Sequence, residues 1–138
     1  MTYSIYDNSF VNSNLYTSFK QDNPGFGYLR VRAFSASEAL PVSGVKVEIS
    51  TDYQSNHIIF YQGETDESGL IEKIPLPTPK TNLDNMEIPN QIVYHVDVVY
   101  EKENLKTSYS VLMYDGVCSV QNVQVKPATL EVGVVIWQ

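Results

Sequence analysis

The stretch TDESGLIEKIPLPTP, residues 65–79, carries the clearest structural signals in this chain of 138 residues. Asp66 can accept hydrogen bonds from the backbone N–H groups that follow it, and Gly69 can adopt a positive φ, so together they predict a tight turn. The segment LIEKI then alternates as a short strand. Pro75, Pro77 and Pro79 fix an extended path without backbone donors, which is typical of a strand leaving a sheet edge.

The letters DESG also resemble part of a calcium-binding EF-hand loop, and the spacing argues against that interpretation. The position that requires glycine in such a loop is occupied by Ile71. The position of the bidentate glutamate is occupied by Pro77, which offers no carboxylate. The stretch is therefore interpreted as a turn that indicates the fold.

Alternation of apolar and polar residues continues along the chain, in YLRVRAF (28–34), VKVEIS (45–50), QIVYHVDVVY (91–100) and SYSVLMY (108–114). Strands with turn signals between them, at intervals of about ten residues, predict an all-β sandwich or barrel. We expect a single antiparallel Greek-key β-sandwich of about seven strands, with an extended N-terminal arm and an extra C-terminal strand. The expected division is an arm at 1–26, a sandwich at 27–127 and a terminal strand at 128–138.

The two ends of the chain differ from its body. The arm is rich in asparagine and serine, which resist regular structure, although Val11, Leu15 and Phe19 have the spacing of a short helix. A disordered tail rarely carries so many aromatic residues, so we expect the arm to dock on its own domain or on a neighbour. Its predicted interface residues are Tyr3, Tyr6, Phe10, Tyr16 and Phe19.

The C-terminal segment is apolar on both faces of the expected strand. One face carries Leu130, Val132, Val134 and Ile136, and Trp137 lies on the other. Such a strand requires cover on both sides, and at an open edge it promotes association between chains. These five residues are the second predicted assembly interface.

The composition excludes several classes of partner. A formal net charge of −7 and a pI near 4.6 argue against binding to nucleic acid, which requires clustered Lys and Arg. No segment has the length of a membrane span or the pattern of a secretory signal, so no membrane insertion is expected. The single cysteine, Cys118, cannot form an internal disulfide and is interpreted as a small core residue.

No catalytic, cofactor-binding or metal-binding residue is predicted. His57 and His95 lie on expected strands without a second metal-ligand residue at a suitable spacing. The sequence contains no glycine-rich phosphate loop and no GxSxG motif. Tyr53 and Tyr61 have the stacking surface that sugars require, but they are interpreted primarily as cross-strand packing partners.

Five segments occur in order over residues 27–127: GYLRVRAF, ALPVSGVKVEIS, TDESGLIEKIPLPTP, YHVDVVY and YDGVCSVQNVQVKP. This set resembles the carboxypeptidase-regulatory-like, transthyretin-like (collagen-adhesin B-like) β-sandwich. It is similar above all to the module that accompanies spore cortex-lytic and peptidoglycan-binding proteins of spore-forming anaerobes. The resemblance implies a sandwich fold and an extracellular, spore or particle surface location. It implies no chemistry.

The sequence therefore suggests a non-catalytic structural subunit. Its terminal arm and terminal strand would join copies of itself into a fibre or appendage on a spore, a cell or a phage-like particle, since strand addition satisfies backbone and side chains together. The alternative is an accessory module that binds peptidoglycan or another glycan. No cofactor is expected, and the expected partners are further copies of the chain or cell-wall glycan.

Overall fold

A computed structural model describes residues 1–35, 40–80 and 91–125. Its strands are β1 (Thr2–Ser4), β2 (Gly25–Ser35), β3 (Lys46–Tyr53), β4 (Asn56–Glu64), β5 (Leu70–Thr78), β6 (Gln91–Tyr100), β7 (Leu105–Tyr114) and β8 (Cys118–Val125). Two helices, α1 (Asn8–Val11) and α2 (Asn14–Asp22), lie between β1 and β2, and a 3₁₀ helix spans Glu101–Glu103. None of the helices in these ranges has the length and apolar character needed to cross a membrane.

The strands form two sheets that pack face to face, so the predicted all-β sandwich is confirmed. The larger sheet has the order β1-β4-β3-β6-β7, and the smaller has the order β5-β2-β8. Two neighbouring pairs depart from the antiparallel pattern, because β1 runs parallel to β4 and β8 runs parallel to β2. Alternation identifies a strand and its buried face but carries no information on the direction of a distant partner.

The alternating residues form one core between the sheets. Leu29, Val31 and Ala33 of β2 are buried, as predicted from YLRVRAF. The larger sheet contributes Val47, Ile49, Tyr94, Val96 and Val98. The hydroxyl of Tyr94 donates to the Pro77 carbonyl at 2.6 Å, which ties β6 to β5 across the core. Burial raises the pKa of Tyr94, so this hydroxyl remains a donor.

The turn at the start of β5 has both features that its sequence suggested. Asp66 Oδ1 accepts hydrogen bonds from the N–H groups of Ser68 at 2.8 Å and Leu70 at 3.0 Å. Gly69 has a φ of +74°, which favours glycine. A Cβ at this position would also lie 2.4 Å from the Ala33 carbonyl oxygen. The turn therefore requires glycine for its conformation and for its close approach to β2.

Pro75 and Pro77 lie near the end of β5, which is one of the two outer strands of the smaller sheet. Pro75 pairs with Tyr28 and Pro77 with Phe26, while Ile74 and Leu76, each of which precedes a proline, pair with Leu29 and Gly27. Proline has no N–H, and alternate residues of a strand direct their N–H groups to the same side. The pairing with β2 is therefore served by residues 74 and 76, and the missing donors are on the free edge of β5.

The N-terminal arm docks on its own sandwich. β1 adds to β4 from Thr2 opposite His57 to Ser4 opposite Ile59. Side-chain caps start both helices: Asp7 Oδ1 accepts from the Ser9 N–H at 3.0 Å, and Ser13 Oγ accepts from the Tyr16 N–H at 3.2 Å. These caps satisfy N–H groups that the first helical turn leaves without partners. The helical spacing in this segment was predicted from the sequence, but the caps were not.

The helices cover the part of the larger sheet that extends beyond the smaller one. Phe19 is fully buried, and its ring centroid lies 5.3 Å from that of Phe60 on β4 and 5.1 Å from that of Tyr53 on β3. Phe10 is buried beside it and stacks on Tyr3 at 5.0 Å. The arm thus covers the inner face of β4 in place of a further strand.

We expect Phe19→Ala to destabilise the fold by about 3–5 kcal/mol, because it removes a fully buried aromatic ring and leaves a cavity. Phe26→Ala is the matched control, since Phe26 is 40% exposed and should cost less than about 1.5 kcal/mol. Urea unfolding followed by circular dichroism measures both. Equal effects of the two substitutions would contradict the docking of the arm.

Gly69→Ala and Gly44→Ala separate backbone strain from steric conflict. Both glycines have positive φ, but nothing lies within 4 Å of a Cβ at Gly44. Gly44→Ala should therefore cost about 1 kcal/mol from strain alone, and Gly69→Ala should cost at least about 1 kcal/mol more, in the range of a disrupted turn. Midpoints of denaturant unfolding test this order, and a larger effect at Gly44 would refute it.

Candidate assembly surfaces

The arm residues predicted as an interface have different positions in the structure. Phe10 and Phe19 are buried in the chain's own core, and Tyr3 and Tyr16 are partly buried against it. Tyr6 is 59% exposed, and its hydroxyl accepts the Gln62 N–H at 3.2 Å. Of the two alternatives for the arm, docking on its own domain is the one present here. Phe10 and Phe19 therefore make intramolecular contacts and not contacts with a neighbour, because their rings bury the apolar inner face of β4.

The second predicted interface lies outside the described residues. It comprises Leu130, Val132, Val134, Ile136 and Trp137. The assignment of these residues to an assembly contact stays a prediction from sequence.

The outer strands of the two sheets differ in their hydrogen-bonding capacity. Within the described ranges, β7 pairs with β6 alone and β8 pairs with β2 alone. Neither strand contains proline, so each retains its full set of N–H groups. The free edge of β5 lacks donors at Pro75 and Pro77. An added strand finds a complete ladder on β7 or β8 and an incomplete one on β5.

β7 offers apolar contacts along its inner face and at one position, Leu112, on its otherwise polar outer face. Toward the core, Leu105, Tyr109 and Val111 are only partly buried. On the outer face, Leu112 is 43% exposed and lies directly opposite Val93 of β6, which is 39% exposed. A strand paired with β7 would extend the core on one face and cover this apolar pair on the other.

A cluster of two histidines and one carboxylate lies on the outer face of the larger sheet. Asp52 pairs with His57 across the β3–β4 hairpin, and His95 on β6 reaches the same carboxylate. His57 Nδ1 lies 3.0 Å from Asp52 Oδ1, and His95 Nε2 lies 3.3 Å from Asp52 Oδ2. The hydrogen bond from His57 is the main cause that lowers the pKa of Asp52.

His57 and His95 are partly exposed, hydrogen-bonded strand residues, and their meeting at one carboxylate was not predicted from the sequence. The residues that meet belong to three strands, and strand pairing between distant segments brings them together. All three side chains remain partly exposed, with Asp52 at 63%. Among the described residues, no group of three His, Cys, Asp or Glu side chains has an arrangement that could hold a metal ion.

Cys118 requires a correction. It was interpreted as a core residue, and it is exposed. The reason is its register, since Cys118 begins β8 and pairs with Tyr28, which points to the outer face of the smaller sheet. Cysteine is usually buried, but at this position the pleat determines its direction.

The tyrosines considered for sugar stacking also have structural roles. Tyr53 and Tyr61 are partly buried and pack against the core. The Tyr53 hydroxyl donates to Asp22 Oδ2 at 2.5 Å, and this bond is the main cause that raises the pKa of Tyr53. The bond fastens the end of α2 to the sheet.

Fold and surfaces define this chain as a two-sheet all-β sandwich with a docked N-terminal arm. No family model and no curated protein matches its sequence. Solved structures similar to it include 5-hydroxyisourate hydrolase from Klebsiella pneumoniae, with a TM-score of 0.47 and 14% identity over 72% of this chain and 86% of that one. Transthyretin from Sparus aurata is similar with a TM-score of 0.43 and 16% identity, over 71% of this chain and 89% of that one.

A third similar structure is the dioxygenase domain of a dioxygenase carbohydrate-binding protein fusion from Streptomyces sp. SirexAA-E. Its TM-score is 0.44, with 10% identity over 75% of this chain and 81% of that one. The expectation that the chain is not an enzyme is therefore corrected, because it was inferred from architecture and similar structures include a hydrolase and a dioxygenase domain. The low identities assign no reaction to this chain.

The Asp52 cluster predicts a pH-dependent contribution to stability. Because the pKa of Asp52 is lowered in the folded state from 3.8, its stabilisation is present above that value and is lost as the pH falls through the folded-state pKa. Asp52→Asn should lower the unfolding free energy at pH 5–6 by less than about 1 kcal/mol, as for an exposed pair. The difference from the unmodified chain should shrink toward pH 2–3.

Urea titrations at each pH measure this difference. The control is the same substitution in a chain carrying His57→Ala and His95→Ala, where it should have little effect because both side-chain donors are gone. An effect of Asp52→Asn that is independent of both histidines would show that the cluster does not stabilise the hairpin.

Proposed function

We propose that this chain is a structural subunit that assembles with copies of itself into a fibre or appendage through strand addition. The observation that carries the proposal is the contrast between edges. β7 presents ten residues that pair on one side only within the described ranges, whereas two prolines remove donors from the free edge of β5. Unprotected edges are recognition sites for another strand, and proline protects an edge.

The proposed donor is the C-terminal segment 128–138 of a neighbouring copy. Its sequence is apolar on alternate residues and also carries Val135 and Trp137 between them. Paired with β7, one set of side chains would lie beside Leu105, Tyr109 and Val111, and the other beside Leu112. The inner face of the donor suits the partly buried inner residues of β7, and Leu112 gives its other face one apolar contact.

A contact between the end of one copy and the edge of the next is heterologous, so it propagates unless a rotation closes it. The resemblance to modules beside peptidoglycan-binding and spore cortex-lytic proteins supports a place for the fibre on a spore, cell or particle surface. In this proposal β2, β5 and the docked arm form the body of the subunit. The arm supplies no aromatic anchor to its neighbour through Phe10 or Phe19.

The purified full chain should form filaments in negative-stain micrographs and large species in light scattering. Val134→Pro with Val135→Pro should abolish them, because successive N–H groups point to opposite sides and one lost donor must face the acceptor. The matched control, Val134→Thr with Val135→Thr, keeps both donors and the β-branched shape and should still assemble.

Amide hydrogen exchange distinguishes the acceptor edge. Assembled protein should gain protection in residues 105–114 relative to the proline variant, with no gain in residues 70–78. A monodisperse monomer at every concentration, or filaments of the proline variant equal to those of the unmodified chain, would refute the proposal.

A further inference from the structure

The outer face of the smaller sheet carries a row of aromatic and basic side chains that the proposed strand addition does not use. The row follows alternate residues of β2: Phe26, Tyr28, Arg30, Arg32 and Phe34. Phe26 and Tyr28 are each 40% exposed, and Val120 of β8, which pairs with Arg30, is 52% exposed. We refer to these five β2 residues as the aromatic–arginine row.

Cations lie on the rings of this row. Lys20 Nζ is 4.2 Å from the centroid of the Phe26 ring, and the Arg32 guanidinium is 4.9 Å from that of Phe34. Arg30 forms an ion pair of 2.9 Å with Glu72 on β5. The face is thus basic and aromatic in a chain whose net charge is −7, and Arg32 is its exposed cation without an ion pair among the described residues.

The opposite side of the sandwich has the complementary character. The outer face of β3, β4 and β6 contains a shallow concavity of about 540 Å³, lined in part by Glu48, Glu64, Asp97, Val99 and Lys46. Glu48 and Asp97 are directly opposite each other on neighbouring strands. Like charges in that position are destabilising. Gln62 donates to Glu48 at 2.8 Å and Ser108 donates to Asp97, and neither adds a positive charge. Lys46 lies opposite Glu64 in the same lining, but among the described residues it forms no ion pair with Glu48 or Asp97.

We propose that the aromatic–arginine row of one copy docks in this acidic concavity of the next copy, with Arg32 between Glu48 and Asp97. This deepens the proposed function by naming a second contact between subunits, and it rests on that function for its biological role. A guanidinium placed there would relieve the like-charge pair and form charge-assisted hydrogen bonds. Phe26, Tyr28 and Val120 would be covered by the neighbour's sheet at the same time.

The two surfaces are on opposite sides of one sandwich, so a copy that offers its row still presents its concavity. The contact is heterologous and adds copies along the direction perpendicular to the sheets. Two sheets within a sandwich are about 10 Å apart, and two outer faces in contact are separated by about the same distance. Stacked copies should therefore repeat at roughly 20 Å.

Local charge complementarity supports a second copy as the occupant over a polyanionic ligand. The net charge of −7 repels a polyanion and a second copy alike, so the choice of occupant rests on local complementarity. The carboxylates that complement the row are supplied by the chain itself. A contact between its own faces uses both surfaces together, and it accounts for an exposed aromatic face and a like-charge pair at once.

Charge reversal tests the contact in the full chain carrying Val134→Pro and Val135→Pro, so that strand addition does not obscure the result. Sedimentation velocity against concentration gives the association constant. Arg32→Glu should weaken association by at least about tenfold, because the introduced carboxylate would face Glu48 and Asp97 of the next copy. Asp97→Arg should weaken it by a similar factor, because the introduced guanidinium would face Arg32 of the neighbouring copy. Raising the salt concentration should also weaken association of the parent chain.

The decisive measurement is an equimolar mixture of the two reversed variants. In alternating order, one kind of contact joins the introduced glutamate to the introduced arginine, and the other joins the native Arg32 to the native Asp97. The mixture should therefore associate within about threefold of the parent. Glu67→Arg is the matched control, since it changes the net charge as much as Asp97→Arg does at an exposed turn position that belongs to neither surface, and it should associate like the parent. Thermal unfolding verifies each fold, and Glu48→Arg replaces Asp97→Arg if the latter does not fold.

The proposal is overturned if either reversed variant associates like the parent, or if the mixture associates no better than its components. It is also overturned if the parent stays monomeric and its row instead retards an acidic polysaccharide in affinity electrophoresis. These outcomes are separate from failure of the strand addition, which is judged by filaments of the chain without the proline substitutions. Filaments with a normal appearance and no stacking would leave the proposed function standing and remove this contact.

Discussion

The unequal width of the two sheets is the constraint on which the rest of the structure depends. Five strands face three, so part of the larger sheet has apolar residues on its inner face with no strand opposite among the described residues. Burial of an aromatic side chain such as Phe60 contributes about 2–3 kcal/mol, and exposing several of them would consume most of the stability of a domain this size. Phe10 and Phe19 resolve the problem at the β4 side, where two capped helices cover the overhang.

The overhang at the opposite side has a different solution. There Leu105, Tyr109 and Val111 of β7 remain partly buried while Met113 is fully buried, and the strand's outer edge is unpaired within the described ranges. The same sandwich thus closes one side with its own arm, and in the proposed assembly the other side accepts a strand from a neighbouring copy. An open sheet edge presents unpaired N–H and C=O groups that can pair with a strand of another chain. The prolines of β5 show that this sequence can protect an edge, and β7 has no such protection.

Local patterns in the sequence predicted much of the fold. The alternation of Leu29, Val31 and Ala33 and that of Tyr94, Val96 and Val98 identified the buried faces, because side-chain direction in a strand depends on the pleat alone. Asp66 and Gly69 identified a turn for an equally local reason. The helix caps Asp7 and Ser13 were present in the sequence but are single hydroxyl or carboxylate groups among many in the arm, so they gave a weak signal.

The features that could not be predicted depend on contacts between distant segments. The meeting of His57 and His95 at Asp52 requires the register of two strand pairs, and neither register can be derived from periodicity. Cys118 was misplaced because composition favours burial of cysteine, while the pairing of β8 with β2 turns it outward. The acidic concavity likewise combines β3, β4 and β6. The alternating segments were identified from the sequence, whereas the pairing of strands that are distant in the chain was not.

The two proposed contacts act in perpendicular directions, and this matters for the physics of assembly. Strand addition at β7 lengthens a sheet within its plane and depends on backbone hydrogen bonds, which are nearly indifferent to salt. Stacking of the aromatic–arginine row on the acidic face adds layers across that plane and depends on exposed charges, which salt screens within about 10 Å at 0.1 M. A subunit with both contacts would keep its filaments across a wide range of ionic strength while their lateral association varied. The net charge of −7 adds a general repulsion between copies, so stacking requires the local complementarity of Arg32 with Glu48 and Asp97 and cannot arise from non-specific attraction.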